Sequence, residues 1–161
     1  MPVAKVILNA SPLILLCNSD LALILPELFT EIVAPDAVWQ EILDGSHLDR
    51  AAQQLPGLSW LKQVTIKPLP DVVRWDLGMG ETEVLSFALQ HNDYTAVLDD
   101  MQAKKCARSL GLQTIGTGAL LILAKERGLI QSVEQSLRTL QQAGLWISEA
   151  VIQMIKKQAG E

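Results

Sequence analysis

The sequence predicts an α/β fold built on a parallel sheet, and three observations carry that prediction. Short apolar runs alternate with amphipathic segments along the 161 residues, the pattern of strands joined by helical crossovers. Hydrophobic residues make up 49% of the chain and charged residues 19%, the balance of a chain that buries a core rather than staying disordered. Glycine and proline punctuate most boundaries between the runs. The length suits one domain, and no Ser- or Pro-rich linker and no internal repeat divides it, so a single domain over 1–161 is expected.

Lys5–Leu8 reads as a strand with both faces buried, because Val6, Ile7 and Leu8 form a continuous apolar run. Asn9, Ala10 and Ser11 end it, and Pro12 suits the first turn of the next helix. Leu21–Phe29 reads as helical and Glu31–Ala34 as a second strand. Pro35 opens a helix to about Asp44 that Gly45 stops. A helical piece with a loop is expected over 46–60. Val64–Ile66 then reads as a third strand or edge extension, closed by Pro68 and Pro70. Gly80 precedes a helix to Gln90, Thr95–Leu98 is a strand ending in Asp99 and Asp100, and Met101–Leu110 is a helix ended by Gly111. Gln113–Ile115 is a short strand, and Gly116-Thr117-Gly118 leads into a helix reaching Arg127. Ser132–Ala143 and Ser148–Gln158 read as two closing helices, and the brief Gly144–Ile147 connection makes them a hairpin.

Composition narrows the function. The most apolar stretches, Leu13–Cys17, Leu21–Leu25 and Ala119–Ala124, fall far short of the roughly 18 residues of a membrane span. Asn9, Ser11 and Pro12 interrupt the N-terminal apolar run, which is not the pattern of a secretory signal. Cys17 and Cys106 lie far apart without a CxxC spacing, so a reducing, cytoplasmic setting is expected. His47 and His91 are the only histidines, so a metal site would have to use oxygen ligands. The net charge of −5, from 18 acidic and 13 basic residues, repels nucleic acid unless a local basic patch or a bridging metal intervenes.

Four places stand apart among the polar and acidic residues. Asn9 and Ser11 follow the first strand, where open parallel sheets bind ligands; the plainer reading gives them turn and cap hydrogen bonds. Glu41 shares a helix face with Ala37, Val38 and Ile42, where a carboxylate costs free energy unless it meets a cation or a donor. Glu81 heads the apolar stripe of Val84, Leu85, Ala88 and Leu89, whereas Glu83 points nearly opposite and reads as support. Asp99 and Asp100 adjoin at a strand end, and a helix cap accounts for only one of them. Oxygen ligands without His or Cys suit Mg²⁺ or Mn²⁺, ions that serve phosphodiester hydrolysis. Lys104, Lys105 and Arg108 follow the Asp pair, with Lys104 and Arg108 on one face, as an RNA-binding patch or an ordinary solvated face.

The ordered series Asn9-Ala10-Ser11-Pro12-Leu13-Ile14, Val38-Trp39-Gln40-Glu41, Gly80-Glu81-Thr82-Glu83, Val97-Leu98-Asp99-Asp100 and Gly116-Thr117-Gly118 resembles PIN-domain proteins. That superfamily includes the VapC-type ribonuclease toxins, and the likeness is closest to a prokaryotic branch with Ser-Pro-Leu, Gly-Glu and Asp-Asp motifs. It covers about residues 5 to 130. The resemblance implies a three-layer α/β/α fold with a helical C-terminal hairpin, and a divalent-metal-dependent, toxin-like endoribonuclease. It places the family's acidic positions on Asn9, Glu41, Glu81 and either Asp99 or Asp100, with the spacing from the strand slightly favouring Asp100. These would hold Mg²⁺ or Mn²⁺ and activate water for in-line attack on RNA. Ser11, Glu83 and Thr117 would support them. A cognate antitoxin and a homodimer are the partners implied, and a mean hydropathy of +0.24 leaves apolar surface for the dimer. Trp39, Trp60, Trp75 and Trp146 would serve that interface or the core, the core being expected of most. Asn9 stands where the family usually has Asp, which removes one negative charge; the alternative is a silent PIN-like module that binds RNA or a protein without cutting.

Other α/β schemes fit less well. A receiver domain has its acidic pair after the first strand, and a haloacid dehalogenase has a DxD there; this chain has Asn9-Ala10-Ser11. No GxGxxG fingerprint occurs.

Overall fold

The computed structural model describes residues 4–45 and 50–161. Five strands form one all-parallel sheet: β1 (Lys5–Leu8), β2 (Glu31–Pro35), β3 (Leu61–Val64), β4 (Thr95–Val97) and β5 (Thr114–Ile115), in the order β3-β2-β1-β4-β5. Val6, Ile7 and Leu8 are completely buried on the central strand, as a sheet covered on both faces requires. Ile7 stands opposite Val33 of β2 on one side and Ala96 of β4 on the other. Helices flank the sheet as the expected three-layer α/β/α arrangement: α1 (Ala10–Asn18), α2 (Ile24–Leu28), α3 (Asp36–Asp44), α4 (Arg50–Gln54), α5 (Pro70–Val73), α6 (Met79–Gln90), α7 (Met101–Ser109), α8 (Thr117–Glu126), α9 (Val133–Gln142) and α10 (Glu149–Gln158).

The chain runs outward from β1 through β2 to β3, then returns to place β4 on the other side of β1. That reversal opens a crevice beyond the carboxyl ends of β1 and β4. Among the described residues, no helix is long and apolar enough to cross a membrane.

Three elements differ from the sequence reading. The third strand is Leu61–Val64 rather than Val64–Ile66, because pairing with β2 sets Ile32 against Leu61 and Pro35 against Val64. Pro70 opens the short helix α5 instead of closing a strand, at a position where its missing N–H costs nothing. Within 46–60, α4 runs straight into a 3₁₀ turn at Leu55–Gly57; the part of that expected helical piece at 46–49 lies outside the described residues.

The C-terminal helices form the expected hairpin. Val133, Leu137 and Leu140 bury one face of α9. Gly144, at φ +117°, ends that helix with Leu145 N–H donating to the Leu140 carbonyl at 2.9 Å and Gly144 N–H to Gln141 at 3.1 Å, a left-handed cap that glycine adopts readily. Arg138 forks onto Glu149 with two hydrogen bonds of 2.7 Å, tying α9 to α10. The Glu161 carboxylate accepts from the backbone N–H groups of Val133 (2.6 Å) and Glu134 (3.1 Å) at the start of α9, and pairs with Lys125 of α8 at 2.9 Å.

Candidate active site

Asn9 occupies the turn from β1 into α1, and its own N–H donates to the Val97 carbonyl of β4 at 3.0 Å. It holds the N-cap position of α1 but makes no side-chain capping bond. Nδ2 donates instead to Glu81 Oε1 at 3.2 Å. Its Oδ1 is buried with no hydrogen-bond partner among the described residues, a state that costs roughly 1–3 kcal/mol.

Gly80 makes the approach possible. A Cβ on Gly80 would lie 3.3 Å from Asn9 Oδ1, 3.5 Å from Val38 Cγ2 and 3.6 Å from Glu41 Oε1. The starts of α1 and α6 and the middle of α3 therefore bring oxygen atoms to one small region. Partial desolvation, and then the charge of Glu81, push the Glu41 carboxyl above its usual pKa, because both disfavour its ionised form.

The other wall comes from the end of β4. Asp99 accepts from the Thr117 N–H at 2.9 Å and from the Thr117 hydroxyl. Thr117 is itself buried, with 1% of its surface exposed, so it fixes that carboxylate. Asp100 caps α7, its Oδ2 accepting from Ala103 N–H at 2.9 Å, and Oδ1 has no hydrogen bond among the described residues. The adjacent aspartates thus do different work, one tied to α8 and one to α7.

Asn9, Ser11, Glu41, Glu81, Asp99 and Asp100 all line one cleft of about 540 Å³, a volume typical of small-molecule or nucleotide sites. Glu83 lies outside it and accepts from the Ala37 N–H at 2.9 Å, which anchors the first turn of the helix that carries Glu41. The basic residues flank the cleft rather than line it. Lys104 Nζ would lie 3.1 Å from a Cβ on Gly116, beside Asp99 Oδ1 at 3.0 Å from the same point. Lys105 and Arg108 are exposed farther along α7.

The sequence reading missed one wall, the turn Ala143–Trp146 between α9 and α10. The expectation that most tryptophans serve the core holds for Trp39, Trp60 and Trp75, which pack against it. Trp146 departs from it, 99% exposed on the cleft rim. The alternation Leu145-Trp146-Ile147 carried the available signal, since two apolar neighbours turned inward leave the indole outside.

The donor set of the cleft suits a hard divalent cation: carboxylates, one amide oxygen and a hydroxyl, with the orphaned Asn9 Oδ1 in need of a partner. Among the described residues, no group of three acidic side chains stands ready to hold a metal ion.

An all-parallel sheet with oxygen donors gathered at its switch point defines an α/β/α protein with an acidic crevice. The chain belongs to the PIN domain family, whose model matches residues 5–161. No curated protein matches it.

Proposed function

We propose that the cleft is the active site of a divalent-metal-dependent ribonuclease that uses Mg²⁺ or Mn²⁺. The observation that carries this reading is the buried Asn9 Oδ1, without a partner and beside Glu81, Glu41 and the side-chain-free Gly80. Asn9, Glu41 and Glu81 would hold the cation on one wall, and Asp99 or Asp100 would complete the set from the other. A cation there supplies a water of lowered pKa and neutralises charge that builds on the phosphate.

The chain's own residues do the positioning. Asn9 Nδ2 holds the Glu81 carboxylate in place, Thr117 orients Asp99, and Glu83 anchors the helix that bears Glu41. Lys104, at the Asp99 side of the mouth, attracts the RNA backbone, and Lys105 and Arg108 extend that attraction along α7. A cytoplasmic toxin-like role with an antitoxin partner, in a homodimeric protein, follows from the family resemblance. The neutral amide of Asn9 supports a second reading, a silent module that binds RNA or a protein without cutting.

Calorimetric titration with Mn²⁺ separates the two. A nuclease site binds Mn²⁺ in the wild type and loses that binding in Glu81→Gln, along with Mn²⁺-dependent cleavage of single-stranded RNA. A wild-type protein that folds, binds RNA and takes up no Mn²⁺ is the silent module.

A further inference from the structure

Trp146 lines the same cleft as Asp99 and Asp100, yet 99% of its surface meets solvent. Its neighbours explain why it stays outside. Leu145 and Ile147 pack against the core on either side of it, so the backbone alternation turns the indole outward. The turn is also fixed at both ends: Leu145 N–H donates to Leu140 at 2.9 Å, and Gln141 Nε2 donates to the Ile147 carbonyl at 3.4 Å. With Gly144 at φ +117°, the platform is built before any ligand arrives.

The cleft therefore presents two chemically distinct surfaces. Its floor is acidic and needs a cation before it accepts a phosphate. Its rim is a flat aromatic face that carries no charge. A nucleotide has the same division, an anionic phosphate and a neutral π-faced base. A protein hot spot is usually ringed by further contacts, whereas this turn sends its other large apolar side chains, Leu145 and Ile147, toward the core.

We infer that Trp146 is a stacking platform for an unpaired base next to the phosphate bound in the cleft. The inference rests on the nuclease reading of that cleft and adds a residue to it. A base held in a duplex is already stacked on its neighbours, so the platform selects a nucleotide that is free to splay out.

The test uses a nuclease-resistant single-stranded RNA that carries 2-aminopurine, whose fluorescence is quenched by stacking, titrated into Mn²⁺-loaded protein. Trp146→Ala is expected to weaken binding roughly 5- to 150-fold, the size of one lost base stack, and to remove the quenching. Trp146→Phe is expected to restore most of both, and Mn²⁺ affinity stays at the wild-type level in both variants. Undiminished RNA binding and quenching in Trp146→Ala overturns the inference and leaves the nuclease reading intact. RNA binding unchanged while sedimentation shifts from dimer to monomer overturns it too, and assigns the indole to a contact between copies. A wild type that binds neither Mn²⁺ nor RNA removes the nuclease reading, and the inference with it.

Discussion

The Asn9 side chain makes one hydrogen bond, to Glu81, and leaves its oxygen without a partner among the described residues. Asn9→Asp removes the donor that steadies Glu81 and adds a charge beside it. The variant is expected to melt lower than wild type without metal, and to gain more than wild type on addition of Mn²⁺, since a ligand stabilises in proportion to its affinity. Thermal melts with and without Mn²⁺ check both halves; equal Mn²⁺-induced shifts in the two proteins would detach Asn9 from the metal. At this scale the site was readable in the sequence where local rules apply. Helical periodicity placed Glu81 at the head of a stripe in which Val84, Leu85 and Ala88 are buried, and set Glu83 apart. That Asn9 turns from the helix it begins toward Glu81 was not readable, because the partner lies 72 positions away. Strand spacing alone favoured Asp100 over Asp99 only slightly, because the bond from Thr117 that sets the two apart spans 18 positions of sequence.

Elements were legible in proportion to their burial. The run Val6–Leu8 announced β1 because these three residues of the strand are wholly buried. The edge strand β3 buries only Leu61 and exposes Lys62 and Gln63, so its pattern is weak. The stronger β-formers at 64–66 drew the eye three residues downstream. The hairpin of α9 and α10 is legible in the sequence, whereas its place against the cleft is not, since that depends on packing between distant segments. Glu161 shows how the hairpin is held. Burial raises its pKa, but the hydrogen bonds from Lys125, Val133 and Glu134 outweigh that and bring it down to about 2. A depressed carboxylate stabilises the fold above its unfolded value of 4.5 and loses that contribution as pH falls toward about 2. Glu161→Ala is expected to cost about 1 kcal/mol at neutral pH, the worth of a helix cap, with the deficit narrowing as the solution is acidified. Urea titrations of both proteins across that range measure it, and a deficit independent of pH would assign the loss to packing rather than to the ionised carboxylate.

Over the whole molecule, the proposed metal reading makes the cleft tie folding stability to cation and proton together. Glu41 carries a raised pKa, so its proton competes with a cation at a higher pH than an ordinary glutamate's would. In the folded state the proton is held more tightly than in the unfolded chain, so acidification relieves the metal-free protein while it weakens the hold on metal. The rise in melting temperature caused by Mn²⁺ is therefore expected to shrink as pH falls, beginning at a higher pH than an ordinary glutamate would set. Differential scanning fluorimetry over a pH series follows it; a Mn²⁺ shift that stays constant until ordinary glutamates titrate would take Glu41 out of the coupling. The sheet order itself was beyond the sequence, because the reversal between β1 and β4 is a choice among topologies that the same strands and helices permit.

The cleft draws its lining from Asn9 at one extreme to Trp146 at the other. A ribosome delivers these in sequence, and domains fold as units once their parts have emerged. A chain that has emerged only through Glu41 has neither the aspartate wall nor the indole rim, so its cleft is incomplete. The cleft therefore closes only once the turn that carries Trp146 has emerged, and whatever chemistry it houses waits on that turn.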